Sequence, residues 1–159
     1  MKNKIYRLYL KFLYLGYTCF CFIFRPRVRG AYVLVTSEDK ILIIKNSYKK
    51  GWTFPCGMID RNEKEVDGAK RELFEEVGIS CNIEDLIFLR EYLSTSGFKY
   101  DHQFFYLLKC ENYPDITLDM REVIKYKWVT IDELNDYSTP VSVKEMVNQF
   151  KDFIFNKTV

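Results

Sequence analysis

The sequence predicts an α/β (α+β) sandwich that carries an additional apolar helix at its N-terminus. Three observations predict this fold class: short apolar runs separated by turn residues from position 27 onward, two later segments with apolar residues at helical spacing, and a hydrophobic content of 48% over 159 residues. A chain of this length buries about two-thirds of its unfolded surface, so it can form a core without disulfide or metal crosslinks. We therefore expect one folded domain without internal repeats or long linkers.

The N-terminal segment is basic and apolar. Its first 29 residues contain seven Lys and Arg residues and no acid, whereas the rest of the chain has 17 basic and 22 acidic residues. Residues 12–24 form a charge-free, largely apolar run, and Pro26 ends the helix that this run predicts. We expect residues 1–26 to form this helix and residues 27–159 to form the domain. Three interpretations of residues 4–24 stay open: contact with the domain or with a second copy of the chain, contact with a membrane surface, or a membrane span or signal segment.

Charge and cysteine content exclude several classes of protein. A net charge of +2 is too balanced for a dedicated nucleic-acid-binding domain, although recognition of an RNA 5′ end stays open. Five cysteines, an odd number without a C-x-x-C pair, argue against a disulfide framework and indicate a reducing, cytoplasmic compartment, with peripheral membrane association as an open addition. The single histidine, His102, excludes a His-rich zinc site.

The elements of the domain follow from its apolar runs and their turn signals. Residues 31–35 and 41–44 flank a polar turn and predict a hairpin. Further strands are predicted at 52–54, 86–92, 103–108 and 126–129. One helix is predicted at 64–77, where apolar residues repeat at three and four positions before Gly78, and a C-terminal helix is predicted at 141–153.

Three carboxylates lie on one face of the predicted helix at 64–77. Glu72, Glu75 and Glu76 occupy positions i, i+3 and i+4, so their like charges repel one another unless a cation is present. Carboxylate oxygens are ligands that Mg²⁺ and Mn²⁺ favour. The cluster by itself also fits a solvated acidic face in which Arg71 pairs with Glu75.

The residues around these carboxylates resemble the Nudix box, G-x5-E-x7-R-E-U-x-E-E-x-G-U, in which U is aliphatic. Gly57 is followed after five residues by Glu63, and after seven more by the run at 71–79, so every defined position matches. The flanking segments also resemble strands of the Nudix family, and the resemblance covers about residues 28–155.

The resemblance implies a Nudix-type α-β-α sandwich with a mixed sheet. It further implies hydrolysis of the diphosphate linkage in a nucleoside diphosphate derivative, with Mg²⁺ or Mn²⁺ as cofactor. Glu72, Glu75 and Glu76 would then bind the metal, together with the backbone carbonyl of Cys56.

The resemblance also gives roles to the other residues of the box. Arg71 would orient the carboxylates, and Glu63 would tie the preceding loop to the helix. Gly57 and Gly78 would serve the backbone geometry at the loop and at the helix end.

Many members of the family use one further acid from a late loop. We expect Glu122 to be this acid, with Glu111 and Asp119 as the next candidates. Glu72 is the first candidate for the general base that activates water.

The substrate is expected to be a small molecule of the nucleoside diphosphate type, and Tyr48, Trp52 and Tyr100 are candidates for stacking on its base. Two other functions stay open: a non-catalytic, nucleotide-sensing module of the same fold, and an isomerase of an isoprenoid diphosphate, for which Cys56 would supply the thiol near the site. Because the whole box follows position 56, we expect residues 1–24 to be dispensable for the chemistry.

Overall fold

The computed structural model of the chain describes residues 2–155 and contains a six-stranded sheet with helices on both faces. The helices are α1 (Lys2–Phe24), α2 (Glu65–Val77), α3 (Ile131–Leu134) and α4 (Val141–Phe155). The strands are β1 (Arg27–Ser37), β2 (Lys40–Asn46), β3 (Cys56–Met58), β4 (Leu86–Ser94), β5 (Tyr100–Cys110) and β6 (Val123–Val129). The expected fold class and the additional N-terminal helix are confirmed.

The sheet is mixed, with the strand order β4-β5-β1-β2-β6 and with β3 beside β1. The predicted hairpin is present, because β1 and β2 are antiparallel neighbours, and β4 and β5 form a second antiparallel pair. Strands β1 and β5 are parallel, from Arg27 opposite Tyr100 to Ser37 opposite Cys110. Parallel neighbours need a crossover connection, and the segment between these two strands contains α2.

Successive side chains of a strand point to opposite faces of the sheet, so those of the central strands contribute alternately to two hydrophobic cores. Val33 and Val35 of β1 contribute to the core that also contains the buried face of α2, whereas Leu34 between them contributes to the core beneath α4. The contribution of α2 comes from Ala69, Leu73 and Val77, and that of α4 from Val143, Met146, Val147 and Ile154. Because α2 packs on the strands that carry the preceding loop, its carboxylates have a fixed position relative to that loop.

Helix α2 begins and ends close to its predicted bounds. Gly78 at its end has a φ of 74°, and its N–H donates to the Phe74 carbonyl at 2.9 Å. A side chain there would be strained at that φ, and its Cβ would also lie 2.9 Å from the Cβ of Thr117. The helix therefore needs glycine at this position.

The short strand predicted at 52–54 is wrong. Thr53 alone forms an isolated bridge, with Ile44, and the strand that pairs with β1 follows at Cys56–Met58. Pro55 has no N–H to donate to a ladder, although its carbonyl accepts a bond from the N–H of Val33 at 2.9 Å. Regular pairing therefore starts after the proline.

Helix α1 lies against the domain at three places along its length. The contacts are the Arg7 guanidinium with the Met120 carbonyl at 2.7 and 3.1 Å, the Tyr14 ring with Tyr48 at 5.5 Å, and the Phe22 ring with Phe98 at 5.1 Å. By length and composition alone, the segment Asn3–Phe24 is sufficient to cross a membrane.

Candidate active site

The loop that enters the site passes directly beside the acidic face of α2. Strand β3 pairs with β1 so that Gly57 lies opposite Ala31. A Cβ on Gly57 would lie 2.0 Å from the carboxyl carbon of Glu72, so no larger residue fits without moving the helix or the loop. The glycine is therefore required by this close approach.

Glu76 is the buried carboxylate of the box, with 5% of its surface exposed. It accepts a bond from the N–H of Cys56 at 2.8 Å and another from the Asn46 amide at 3.2 Å. Its pKa is raised to about 8, mainly by burial and also by the charge of Glu72, against the lowering effect of the Cys56 hydrogen bond. The site thus holds a carboxylate whose ionisation a neighbouring cation would favour.

Arg71 holds the other carboxylates in place. Its guanidinium donates two bonds to Glu63 at 2.9 Å each, one to Glu72 at 2.6 Å and one to Glu75 at 3.2 Å, and it also binds the carbonyl of Met58. The expected pairing of Arg71 with Glu75 therefore exists, but it is one contact in a network rather than an isolated surface pair.

Glu63 connects this network to the loop. Besides its bonds from Arg71, it accepts one from the N–H of Asp60 at 2.9 Å. The hydrogen bonds from Arg71 lower its pKa to about 2, so the carboxylate stays ionised. This geometry agrees with the role expected for Glu63, which is to tie the loop to the helix.

Glu72 and Glu122 are partly buried acids on the same cavity. Burial raises the pKa of both, and the charges of Glu75 and Glu122 add to the effect on Glu72. Glu122 precedes β6, and its carbonyl accepts a bond from the N–H of Ser47. The late-loop acid expected from the sequence therefore lies beside the carboxylates of α2.

The carboxylate oxygens of the site are of the chemical type that binds a hard divalent cation. Carboxylate oxygens suit Mg²⁺ and Mn²⁺, and burial, with a smaller effect from neighbouring carboxylates, raises the pKa of Glu72 and of Glu76. Within residues 2–155, however, no group of three Asp, Glu, Cys or His side chains is gathered closely enough to hold a metal. The oxygens of Glu72 and Glu76 are instead engaged by Arg71, Cys56 and Asn46, with which a cation would compete.

The carboxylates open into a cavity of about 320 Å³. The acids that line it are Glu72, Glu76, Asp101 and Glu122, and its basic residues are Arg29, Lys49 and Lys99. Lys99 pairs with Asp101 at 2.9 Å, and Arg29 pairs with Glu65. Burial lowers the pKa of Lys49, but electrostatic interactions with Cys56, Tyr48 and Glu76 outweigh this effect, so the pKa is raised. A cavity with acids beside bases can hold phosphate oxygens as well as a cation.

Helix α1 supplies four residues to the wall of this cavity: Tyr14, Tyr17, Thr18 and Cys21. Contact of residues 4–24 with the domain was one of the three interpretations that the sequence left open, but its position at the cavity was not predicted, because a helix outside the box can be placed only by tertiary packing. The box carboxylates do lie outside α1, as expected, but the helix contributes to the space in which a substrate would bind.

The three aromatic candidates occupy different positions. Tyr48 lines the cavity. Trp52 packs against Tyr137, with ring centroids 5.5 Å apart, and joins the core beneath α4. Tyr100 is half exposed at the start of β5, and Tyr32 lines the cavity in addition to Tyr48.

The thiol of Cys56 is buried and unreactive. Burial, followed by the charge of Glu76, raises its pKa to about 12, so the thiolate is not populated near neutral pH. Cys56 is also absent from the described non-glycine residues with positive φ, so the residue fits its strand without strain.

The family model described as the NUDIX domain matches residues 26–150. Nucleoside diphosphate-linked moiety X motif 6 of Mus musculus is 30% identical over 122 residues, which are 72% of this chain and 38% of that protein. The chain spans at most 38% of the length of the first curated relatives that it matches.

Solved structures agree on the fold. The C. elegans Ap4A hydrolase, in a binary complex, is 23% identical with a TM-score of 0.69, and the match covers 80% of this chain and 97% of that one. A bifunctional NMN adenylyltransferase/ADP ribose pyrophosphatase from Francisella tularensis, complexed with AMP and a Mn ion, is 21% identical with a TM-score of 0.67, covering 96% of this chain and 48% of that one.

Proposed function

Because this chain belongs to the Nudix family, we propose that it is a pyrophosphohydrolase that cleaves the diphosphate linkage of a nucleoside diphosphate derivative with Mg²⁺ or Mn²⁺. The observation that carries the proposal is the cavity in which Glu72, Glu76 and Glu122 lie beside Arg29, Lys49 and Lys99. The carboxylates can supply oxygen ligands for the cation and a general base for the attacking water. The basic side chains can neutralise the negative charge of the phosphate oxygens.

Glu72, Glu75 and Glu76, with the backbone carbonyl of Cys56, would hold the metal. When bound, the cation shields the phosphate charge and lowers the pKa of a coordinated water. Arg71 keeps Glu72 and Glu75 oriented toward each other through its hydrogen bonds.

Glu72 is assigned as the general base that accepts the proton of the attacking water, with Glu122 as the second candidate. Both carboxylates line the cavity, and both have a pKa raised by burial, which makes them stronger bases than exposed carboxylates. Of the three aromatic candidates, Tyr48 is the one that we propose for contact with a nucleobase, because it lines the cavity beside Lys49, whereas Trp52 and Tyr100 lie elsewhere.

The two alternative functions receive less support. An isomerase would need a reactive cysteine, but burial raises the pKa of Cys56 to about 12. A sensor module has no need of the complete set of box carboxylates that this chain retains.

We also propose that the protein is cytoplasmic and associates peripherally with a membrane through α1. Eleven of the 24 exposed large hydrophobic side chains in the described structure lie on this helix. Its three contacts with the domain support a helix that lies along the surface of the protein and presents its outer side to lipid.

A panel of diphosphates tests the activity. Nucleoside triphosphates, ADP-ribose, nucleotide sugars, dinucleoside polyphosphates and capped RNA are incubated with Mg²⁺ or Mn²⁺, and released phosphate or nucleotide is measured. We expect turnover of at least one member that disappears with EDTA. Absence of turnover of every member with either metal would overturn the proposal.

A further inference from the structure

An apolar groove continues from the acidic cavity along α1. It has a volume of about 200 Å³, and it shares Tyr14, Tyr17, Tyr48 and Glu122 with the cavity. Leu10 and Leu13 of α1 complete its lining. Apart from Glu122, all residues that line this groove are therefore leucines and tyrosines.

A second and shallower groove, about 430 Å³ in volume and formed by residues of α1 alone, extends the first one along the exposed side of this helix. The two share Leu13 and Tyr17, and the other lining residues of the second groove are Tyr9, Phe12, Gly16 and Phe20. Gly16 leaves a gap between these larger side chains, since a Cβ there would meet no atom within 4 Å. An apolar path thus runs from the diphosphate-binding cavity to the outer side of the helix.

The lining of this path selects the chemistry of its occupant. A sugar or a second nucleoside in the groove would lose hydrogen bonds to water, and among the lining residues only the tyrosine hydroxyls and Glu122 could replace them, since leucine and phenylalanine side chains have no polar group. A hydrocarbon chain gains about fourfold in affinity for each methylene that it buries completely. The groove therefore fits an aliphatic chain attached to the diphosphate.

The outer side of α1 indicates where such a chain would come from. Ile5, Phe12 and Ile23 are each at least 66% exposed, and the basic residues Lys4 and Lys11 lie on the same helix. No acid occurs among the first 29 residues. An apolar surface with basic groups is attracted to anionic lipid.

We propose that the groove along α1 binds the hydrocarbon chain of a membrane-borne ester of a nucleoside diphosphate. This inference rests on the proposed hydrolase function and names its substrate class. Water adds to one phosphorus, the bridging P–O bond breaks, and the products are a nucleoside monophosphate and the monophosphate ester of the lipid. The general base takes the proton that the water loses.

A series of esters tests the groove. Methyl, butyl and octyl esters of ADP and of CDP are compared in solution with Mg²⁺, and kcat/KM is measured for each. We expect kcat/KM to rise by about tenfold or more from methyl to octyl, because each buried methylene favours binding. Equal values along the series would overturn the proposal.

Variants locate the effect in the groove. Gly16→Leu places a side chain in the gap, and Leu13→Gln makes the wall polar; each is expected to lower the octyl-to-methyl ratio of kcat/KM severalfold. Asn3→Leu adds the same leucine to α1 outside both grooves and should keep the parent ratio. If both groove variants keep the parent ratio, the chain binds elsewhere and the proposal is wrong.

Binding of non-hydrolysable analogues separates this inference from the hydrolase proposal. Methyl and octyl esters with a methylene bridge between the phosphorus atoms are titrated by calorimetry. Tighter binding of the octyl analogue, with no hydrolysis of any ester, would support the groove and overturn only the hydrolase function. Equal affinities would overturn the groove.

A hexadecyl ester in vesicles tests the membrane as the source of the chain. We expect faster hydrolysis when the vesicles contain phosphatidylglycerol than when they contain phosphatidylcholine alone. Equal rates in the two kinds of vesicle would contradict the membrane as the source of the chain. A protein that is dimeric in solution and binds neither kind of vesicle would show that a second copy of the chain, rather than lipid, covers α1.

Discussion

Helices α1 and α2 face the same cavity but are attached to the protein in different ways. Five residues of α2 are buried in the domain, and Arg71 ties its acidic face to the preceding loop. In α1, by contrast, Cys21 is the one hydrophobic residue that is buried in the described structure. The helix contacts the surface of the domain through side chains such as Arg7 and Tyr14. The groups proposed to act on the diphosphate are therefore fixed by the core, whereas the helix proposed to select the substrate has few buried residues.

The largest expected effect belongs to α2. Glu72→Gln should lower turnover of the best diphosphate substrate on the order of 10²–10⁴-fold, because a general base is lost. Glu76→Gln should also raise the Mg²⁺ concentration needed for half-maximal activity, since a proposed ligand is lost. Steady-state kinetics at several metal concentrations measures both effects.

Asp67→Asn is the matched control, since it removes a carboxylate of the same helix outside the box. Glu65 is less suitable, because it pairs with Arg29, which lines the cavity. Turnover at the parent rate in both Glu72→Gln and Glu76→Gln would show that the assignment of these carboxylates to the active site is wrong.

Removal of α1 should have a smaller and different effect. A chain that begins at Arg25 should fold, because neither hydrophobic core among the described residues includes a residue of α1. It should keep metal-dependent hydrolysis, but KM should rise about tenfold, because the cavity loses binding contacts that do not change during the reaction. Circular dichroism and steady-state kinetics measure the two properties.

Two outcomes would contradict this comparison. An unfolded truncated chain would show that α1 is part of the folding core. An unchanged KM would show that α1 does not contribute to substrate binding.

Binding to anionic vesicles should depend on α1 and not on α2. Combined Lys4→Gln and Lys11→Gln should weaken binding to phosphatidylglycerol vesicles about 30-fold, because each lysine near the surface contributes about 1 kcal/mol. The matched pair Lys64→Gln and Lys70→Gln, at the start of α2 and on it, should leave binding unchanged. Co-sedimentation at increasing salt measures the affinity, and equal losses in both pairs would contradict the assignment to α1.

Stability of the metal-free protein should fall as pH rises, on account of Glu76. Its pKa is raised from 4.5 to about 8 by burial, so between these values the folded state keeps a proton that the unfolded state has released. The free energy of unfolding then falls with rising pH, by at most about 1.4 kcal/mol per pH unit.

Urea unfolding in EDTA measures this slope. Glu76→Gln should flatten it over that pH range, whereas Glu75→Gln, at an exposed carboxylate of the same helix, should retain it. Parallel curves for the parent and Glu76→Gln would show that the buried carboxylate is not the source.

The sequence predicted α2 and its network better than it predicted the cavity. The box fixes Glu63, Arg71 and the carboxylates by local spacing, and a helix converts that spacing into one face. Strand β3 was misplaced by a few residues, because apolar character around Trp52 does not reveal that Pro55 interrupts the pairing. The position of α1, and hence of Tyr17, depends on contacts between residues 34 to 113 positions apart, which no local pattern encodes.

The smallest expected effect compares one substitution in the two helices, Gly16→Ala in α1 and Gly68→Ala in α2. A Cβ at Gly16 meets no atom within 4 Å, so alanine should stabilise α1 by about 0.5–1 kcal/mol through its higher helix propensity. At Gly68 the same Cβ would lie 3.1 Å from a carboxylate oxygen of Glu63 and 3.2 Å from a side-chain carbon of Ile59. Glu63 cannot move away easily, because Arg71 and the loop backbone hold it, so we expect Gly68→Ala to destabilise the domain. Amide hydrogen exchange in α1 reports the first change and urea unfolding the second; effects of equal sign would show that the two helices are equally constrained.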